Sequence, residues 1–341
     1  MLRIIGLILG IGILVGIALS GSFVWDSYFL SPDRDATEIK VEIPEGSSVD
    51  AISKLLKKNK IISSRFLFKT YTKFANAQSS LQAGVFVLKP QMSFKKIVAS
   101  LTNAQAQEIQ LTIPEGFSLQ QIGQEVEKNF SQISVADWDS VTNSANDFTE
   151  QQDILSGIPS GQGLEGYLFP DTYRFRKDAD AKTIAETMII TLKRRLAENN
   201  IIVPDHLVMQ NGMTFHQVLT LASIVEREVR SKEDMAHVAG IFLTRLKIGM
   251  ALQADSTVNF VTGKQDSSVS ITDSKIDSPY NTYKFLGLPP GPISNPGMNA
   301  IQAVLNPSAS NDLYFLTTPA GQVIYSKTFD DHIANKYKYL K

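Results

Sequence analysis

A short pattern occurs twice in this chain at an offset of 70 residues: "VEIPEGSSVDAISKLLKKNKII" from Val41 and "LTIPEGFSLQQIGQEVEKNF" from Leu111. In each copy a β-prone triplet runs into Pro-Glu-Gly and then a Ser. A helix-period pattern follows, with Ile43, Val49 and Ile52 answered by Ile113, Leu119 and Ile122. Strand, turn and amphipathic helix is the economical reading of both. The pattern is equally what any strand-to-helix turn would use, with Gly supplying backbone freedom and Pro fixing the approach, so duplication of a domain stays open. Either way two folded units begin at these points: a small α+β domain over 41–105 and a larger mixed α/β domain over 106–341. The small one is expected to hold a further helix near Ser64–Lys73 and a strand near Gly84–Leu88.

Composition narrows the function. Lys plus Arg number 33 against 34 Asp plus Glu, for a net charge of -1, which argues against a counterion-driven nucleic-acid binder. No Cys is present, which excludes disulfides, thiolate metal ligands and a cysteine nucleophile. The four His, at 206, 216, 237 and 332, are too scattered for a paired-histidine metal motif, so neither metal nor cofactor is expected.

Ile4 to Trp25 form a run of 22 residues without a charge. As a helix it would be about 33 Å long, enough for the hydrocarbon layer of a membrane. Arg3 precedes it and Asp26, Asp33, Asp35 and Glu38 follow, so the positive-inside tendency puts the head in the cytoplasm. Residues 1–25 are therefore expected as a transmembrane anchor and 26–40 as a linker, with Trp25 and Tyr28 in an interfacial belt. The chain would be single-pass in the cytoplasmic (inner) membrane, its remainder on the periplasmic or extracytoplasmic side. A cleaved signal peptide is the alternative, since Ala18-Leu19-Ser20 offers a small-x-small site.

The larger unit carries the chemistry. Residues 131–160 are rich in Ser, Asp, Asn and Gln and read as surface helices and loops around Trp138. The Gly-rich "SGIPSGQGLEGYLFPDTYRF" after them suits an ordered loop lining a cleft. Asp180 to Asn199 has helical periodicity. Thr214-x-x-Gln217 matches a capping box ahead of "FHQVLTLASIVEREV", whose apolar stripe predicts a helix. Leu219, Ala222, Ser223 and Glu226 share a face of it, so the Glu226 carboxyl emerges beside apolar surface that should raise its pKa toward proton-donor use. An i+4 ion pair with Arg230 on a solvated face is the competing reading. Glu228 faces elsewhere.

Ser231-x-x-Asp234 caps a second helix ending at Gly249, and "ALQADSTVNFVTG" reads as a turn and short helix carrying Gln253 and Asp255. The Pro- and Gly-rich stretch from Ser278 to Pro307 places Asn281, Ser294 and Asn295 on a fixed backbone, either as a polar groove for an extended ligand or as a wrap around the core. A helix over Met298–Leu305 and a hairpin around Pro319–Gly321 close the chain.

Taken together, "LEGYLFPDTY", "LASIVEREV", "LQADSTV", "SPYNTY" and "GLPPGPISNPG" closely resemble the endolytic murein transglycosylase family, also called MltG or YceG-like. The resemblance runs the length of the chain with five motifs in the family's order. It implies an α+β fold: an N-terminal transmembrane helix, a small LysM-like α+β domain, and a larger mixed α/β catalytic domain with a glycan-binding cleft. It also implies a lyase that cuts nascent peptidoglycan strands internally, between N-acetylmuramic acid and N-acetylglucosamine, to leave 1,6-anhydromuramoyl ends and so end strand growth. Peptidoglycan synthases are implied partners, alongside the glycan strands and the membrane.

The family's catalytic glutamate falls on Glu226. Glu165, Gln253, Asp255, Tyr280 and Asn281 match cleft positions. Glu165 would support the site, Gln253 and Asn281 would bind sugar groups, and Asp255 would either act there or cap a helix. Two departures from the family's pattern stand out: Ser256 and Phe260 replace a Pro and a Tyr, and His332 is followed by Ile333 rather than Asn.

Overall fold

The computed structural model describes residues 20–21, 23–31, 37–44, 46–102, 108–204, 207–209, 211–264 and 269–340. Two compact units divide the chain at Ile109 and Gln110.

In the first unit, β1 (Ile39–Ile43) pairs antiparallel with β2 (Gly84–Leu88), Val41 lying opposite Phe86. Between them run α1 (Val49–Lys58) and α2 (Arg65–Phe74), and α3 (Phe94–Thr102) follows β2. Ser48 and Ser64 cap the first two helices by accepting from the backbone N–H three residues on. The alternation that turns Val41 and Ile43 inward meets the helical stripes at a core of Ile52, Leu56, Phe68, Phe86, Phe94 and Ile97.

The expected transmembrane anchor is corrected. Among the described residues no helix is long and apolar enough to cross a membrane, and the stretch 1–19, with residue 22, lies outside the described residues. What is described of that end packs on protein only in part: Trp25, Tyr28 and Phe29 keep much of their surface exposed. Trp25–Phe29 form a π-helical turn with Asp26 and Ser27 buried, and Asp26 Oδ2 accepts a 2.5 Å hydrogen bond from Ser63 Oγ. The Tyr28 ring sits edge-on to Tyr71 at 6.1 Å, and Phe23 is tilted against the same ring. The buried Asp26 carboxyl and the Phe23 and Tyr28 rings tie this end to the first unit, while Trp25 stacks on Phe29. The single-pass inner-membrane placement, the periplasmic side assigned to the remainder and the membrane as a partner are withdrawn with the anchor.

The second unit is mainly helical. β3 (Glu108–Thr112) pairs with β4 (Thr172–Arg176) in a two-stranded sheet. Between them lie α4 (Leu119–Asn129) and α5 (Val135–Thr142), both opened by full capping boxes, at Ser118 and Ser134. Trp138, expected in a surface stretch, is fully buried. Its ring packs on Gly123, its Nε1–H donates to the Leu119 carbonyl at 3.0 Å, and so α5 is fastened to the start of α4.

After α6 (Ala181–Glu198) comes the central pair, α7 (Phe215–Glu228) and α8 (Lys232–Lys247), whose capping residues are Thr214 and Ser231. Residues 215, 216 and 218–225 of α7 are buried, so this helix runs through the core of the unit. α9 (Asp255–Thr262) and α10 (Met298–Leu305) pack beside it. The expected hairpin is present as β5 (Tyr314–Thr317) and β6 (Val323–Ser326). A last helix, α11 (Phe329–Tyr339), capped by Thr328, was not foreseen, because its polar and aromatic residues carry no strong apolar stripe.

Candidate active site

Glu226 lies in the last turn of α7, where the helix leaves the core: Val225 is fully buried and Arg227 is exposed. Its carboxyl does not pair with Arg230. Oε2 instead accepts a 3.0 Å hydrogen bond from the Gly297 N–H, and Gly297 is the N-cap residue of α10. Burial pushes the carboxyl up to about 7, against the Gly297 donor and Arg227, while the nearby Glu115 charge adds to the rise. A carboxyl near 7 is a proton donor and, once spent, a base at neutral pH. The α10 N-terminus favours the anion that remains after transfer, so both protonation states are accessible.

The "GPISNPG" stretch that carries Gly297 is a wrap over the core: residues 291 to 297 are all buried. Ser223, one turn before Glu226 on α7, ties it down. The Ile293 N–H donates to Ser223 Oγ at 3.0 Å, and Ser294 Oγ donates to the Ser223 carbonyl at 3.2 Å. Fixing residues 293 and 294 on the helix fixes where the Gly297 amide arrives.

Glu165 is held by the same two loops. Both of its oxygens lie within 3.1 Å of the Leu119 N–H, at the start of α4, and Oε1 also accepts from Asn295 Nδ2 at 3.0 Å. Burial pushes this carboxyl up to about 8, against the N–H donors of Leu119, Gly166 and Asn295. Asn295 has three duties: its Nδ2 also donates to the Phe117 carbonyl and its Oδ1 accepts from the Leu168 N–H. Backbone bonds from Gly116 to Asn295 and from Asn295 to Phe117 complete the join between the second Pro-Glu-Gly turn and the wrap. Glu165 therefore braces the loops that hold Glu226.

A third carboxyl, Glu228, accepts from Ser256 Oγ at 2.7 Å in the first turn of α9, and burial raises its pKa. Each acid thus meets the N-terminus of a different helix, α4 for Glu165, α10 for Glu226 and α9 for Glu228. These dipoles and free N–H groups are suited to acids in a largely apolar setting.

The remaining expected residues divide. Asp255 opens α9 but makes no capping bond; its Oδ1 accepts from Tyr283 Oη at 2.5 Å. Gln253 is exposed at φ 49°, its N–H donating to the Thr282 carbonyl. Asn281 is buried, and its amide is used within its own loop: Nδ2 donates to the Ser274 and Ile276 carbonyls, and Oδ1 accepts from the Tyr283 N–H. Tyr280 is half-buried, packs on Phe260 with ring centroids 5.0 Å apart, and feels the Glu165 charge. Glu165 and Glu226 are therefore brought together through shared loops. Gln253, Asp255 and Asn281 belong to the α9 and 274–283 region.

Two residues of this region were missed in the sequence. Glu115, in the second Pro-Glu-Gly, was read only as part of a turn. His216 was set aside as scattered, yet it is buried, its Nε2 within 3.0 Å of the Pro290 carbonyl and its Nδ1 within 3.0 Å of Tyr167 Oη. Since a carbonyl only accepts, Nε2 carries the proton and Nδ1 accepts from Tyr167. Burial lowers the His216 pKa, consistent with a neutral ring. This chain of bonds anchors the start of the wrap, so Tyr167→Phe is expected to destabilise the protein by about 1–3 kcal/mol through the orphaned Nδ1. A thermal melt checks it, and an unchanged midpoint would refute the assignment.

The model of the YceG-like family matches residues 41–338. The chain belongs to that family. A Bacillus subtilis member, an endolytic murein transglycosylase, is 37% identical over 334 residues, covering 94% of this chain and 91% of the relative. A Streptococcus pneumoniae protein of the same name is 31% identical over 343 residues; the match takes in 93% of this chain but 61% of that longer protein. The crystal structure of a yceG-like protein from Listeria monocytogenes superposes with a TM-score of 0.59 at 34% identity, over 89% of this chain and all of that one.

Proposed function

We infer that this chain is an endolytic murein transglycosylase, a lyase that cuts peptidoglycan glycan strands internally. The single observation that carries the chemistry is the Glu226 carboxyl, half-buried and held at Oε2 by the Gly297 amide at the point where the central helix reaches the surface, where burial pushes its pKa up to about 7. The names of the family members above supply the substrate class.

The reaction needs one acid/base group. Glu226 gives its proton to the glycosidic oxygen as the bond from muramoyl C1 breaks, and the leaving sugar departs as an alcohol. The Glu226 carboxylate then takes the proton from the muramoyl C6 hydroxyl as that oxygen bonds to C1, which closes the 1,6-anhydro ring and restores the acid. No water is consumed. Oε2 is committed to Gly297, which leaves Oε1 to carry the transferable proton.

The test is to incubate the protein with uncrosslinked glycan strands and weigh the fragments. Anhydromuramoyl ends, lighter by one water than hydrolytic ends, are expected. Reducing muramoyl ends would make the protein a hydrolase, and intact strands would leave it without this activity.

A further inference from the structure

The second Pro-Glu-Gly turn lies against Glu226 and Arg227 at the end of α7. Gly116 packs on Glu226 and on Arg227, such that a Cβ there would stand 3.4 Å from Glu226 Cγ and 3.4 Å from Arg227 Cδ. The Arg227 guanidinium donates to the Gly116 carbonyl at 3.2 Å. The Glu115 side chain then lies over Gly297: a Cβ on Gly297 would overlap its carboxylate and push it aside. Gly297 is the residue whose N–H holds Glu226 Oε2. Glu115 and Glu226 thus flank one backbone position, and among the described residues the Glu115 carboxylate has no hydrogen-bond or ion-pair partner.

A residue left exposed and unpaired at this spot is not needed by the fold. The N–H of Gly116 and the carbonyl of Phe117 make the structural bonds of the turn, both to Asn295. The chemistry does have a use for it. As the glycosidic bond breaks, positive charge grows on the muramoyl C1 and ring oxygen while Glu226 is still losing its proton. An anion nearby stabilises that charge only in the transition state, which is what raises turnover rather than binding.

We propose that Glu115 is the second carboxylate of the reaction centre, its anion stabilising the positive charge that develops at the muramoyl C1 while Glu226 transfers the proton. No bond to Glu115 forms, and the C6 hydroxyl remains the nucleophile. The inference rests on the transglycosylase reading above. The charged groups that face Glu226 are Glu115 from the turn and Arg227 from its own helix, with the α10 N-terminus at Gly297. Removing the Glu115 charge therefore also removes a repulsion that keeps Glu226 protonated.

The experiment compares the wild type with Glu115→Gln and Glu115→Asp on uncrosslinked strands, with kcat, KM and the pH profile measured for each. Glu115→Gln is expected to lower kcat about 100-fold with KM within threefold, and to move the alkaline limb of kcat/KM to lower pH. Glu115→Asp, with the charge kept but withdrawn, should fall between the two. Thermal melts verify that the variants fold; the exposed position predicts that they do. A kcat for Glu115→Gln within threefold of the wild type, a loss carried by KM, or Glu115→Asp no better than Glu115→Gln each overturns the proposal. A wild type that yields no anhydromuramoyl product would instead refute the transglycosylase reading on which it rests.

Discussion

Glu226→Gln is expected to lower turnover on glycan strands by at least about 1,000-fold while the protein stays folded, because the amide fills the same space and still accepts from the Gly297 N–H but has no proton to give. The same variant should be more stable than the wild type at alkaline pH. The folded carboxyl has its pKa raised from an ordinary 4.5 to about 7. The stability its proton contributes is fully present below the unfolded value and is lost as pH rises through the folded one. Glu226 should therefore contribute a loss of wild-type stability between about pH 4.5 and 7, of up to roughly 3 kcal/mol, and Glu226→Gln should decline less by that amount, keeping the loss that the raised Glu165 and Glu228 carboxyls add. Urea melts at pH 4.5 and pH 8 read this directly. Equal pH slopes for the two proteins would show that this carboxyl is ionised in the fold, and it could not then be the donor.

The second large effect is expected at Asn295, which touches no substrate in the mechanism above. Asn295→Ala removes the acceptor of the Leu168 N–H and the donor to both the Phe117 carbonyl and Glu165, all in a buried setting. Several orphaned buried groups at once should cost about 3 kcal/mol or more, which for a unit of this size lowers the melting temperature by about 6–12 °C. Activity should fall as well, at temperatures where the variant is still folded. The residue sits two positions before Gly297, and loosening the wrap misplaces the amide that orients Glu226. A melting temperature and kcat both unchanged would mean that the two loops are joined by their backbone bonds alone.

The two experiments separate chemistry from placement. Glu226→Gln should cost activity and gain alkaline stability, whereas Asn295→Ala should cost both. That opposition follows from what each side chain does in the fold: Glu226 is kept partly at the expense of stability, and Asn295 is spent on it.

Much of the architecture was legible because it is local. The capping boxes at Ser118 and Thr214, the cap at Ser231 and the apolar stripe of "FHQVLTLASIVEREV" each act within a few residues, so they fix a helix wherever the chain later packs it. The inward facing of Val41 and Ile43 in the first sheet follows likewise from alternation. Composition misled where a segment's partner lies far along the chain. Trp138 sits in a polar stretch yet is core, because Gly123 leaves room for its ring. The apolar run from Ile4 to Trp25 was expected to meet lipid; near its end Phe23 packs on Tyr71, and just beyond it Asp26 accepts from Ser63.

The same division holds for the site. The position of Glu226, at the edge of an apolar helical face, was decided by the 3.6-residue period and could be read from the letters alone. The upward direction of its pKa was read there too, from the apolar surface beside it; its hydrogen-bond partner and charged neighbour were not. The partner is Gly297, 71 residues downstream, whose N–H opposes the rise that burial causes, and the neighbour is Glu115 in the Pro-Glu-Gly turn, which adds to it. Desolvation and hydrogen bonding are set by whichever groups the fold brings within a few ångströms, and sequence spacing carries no record of them.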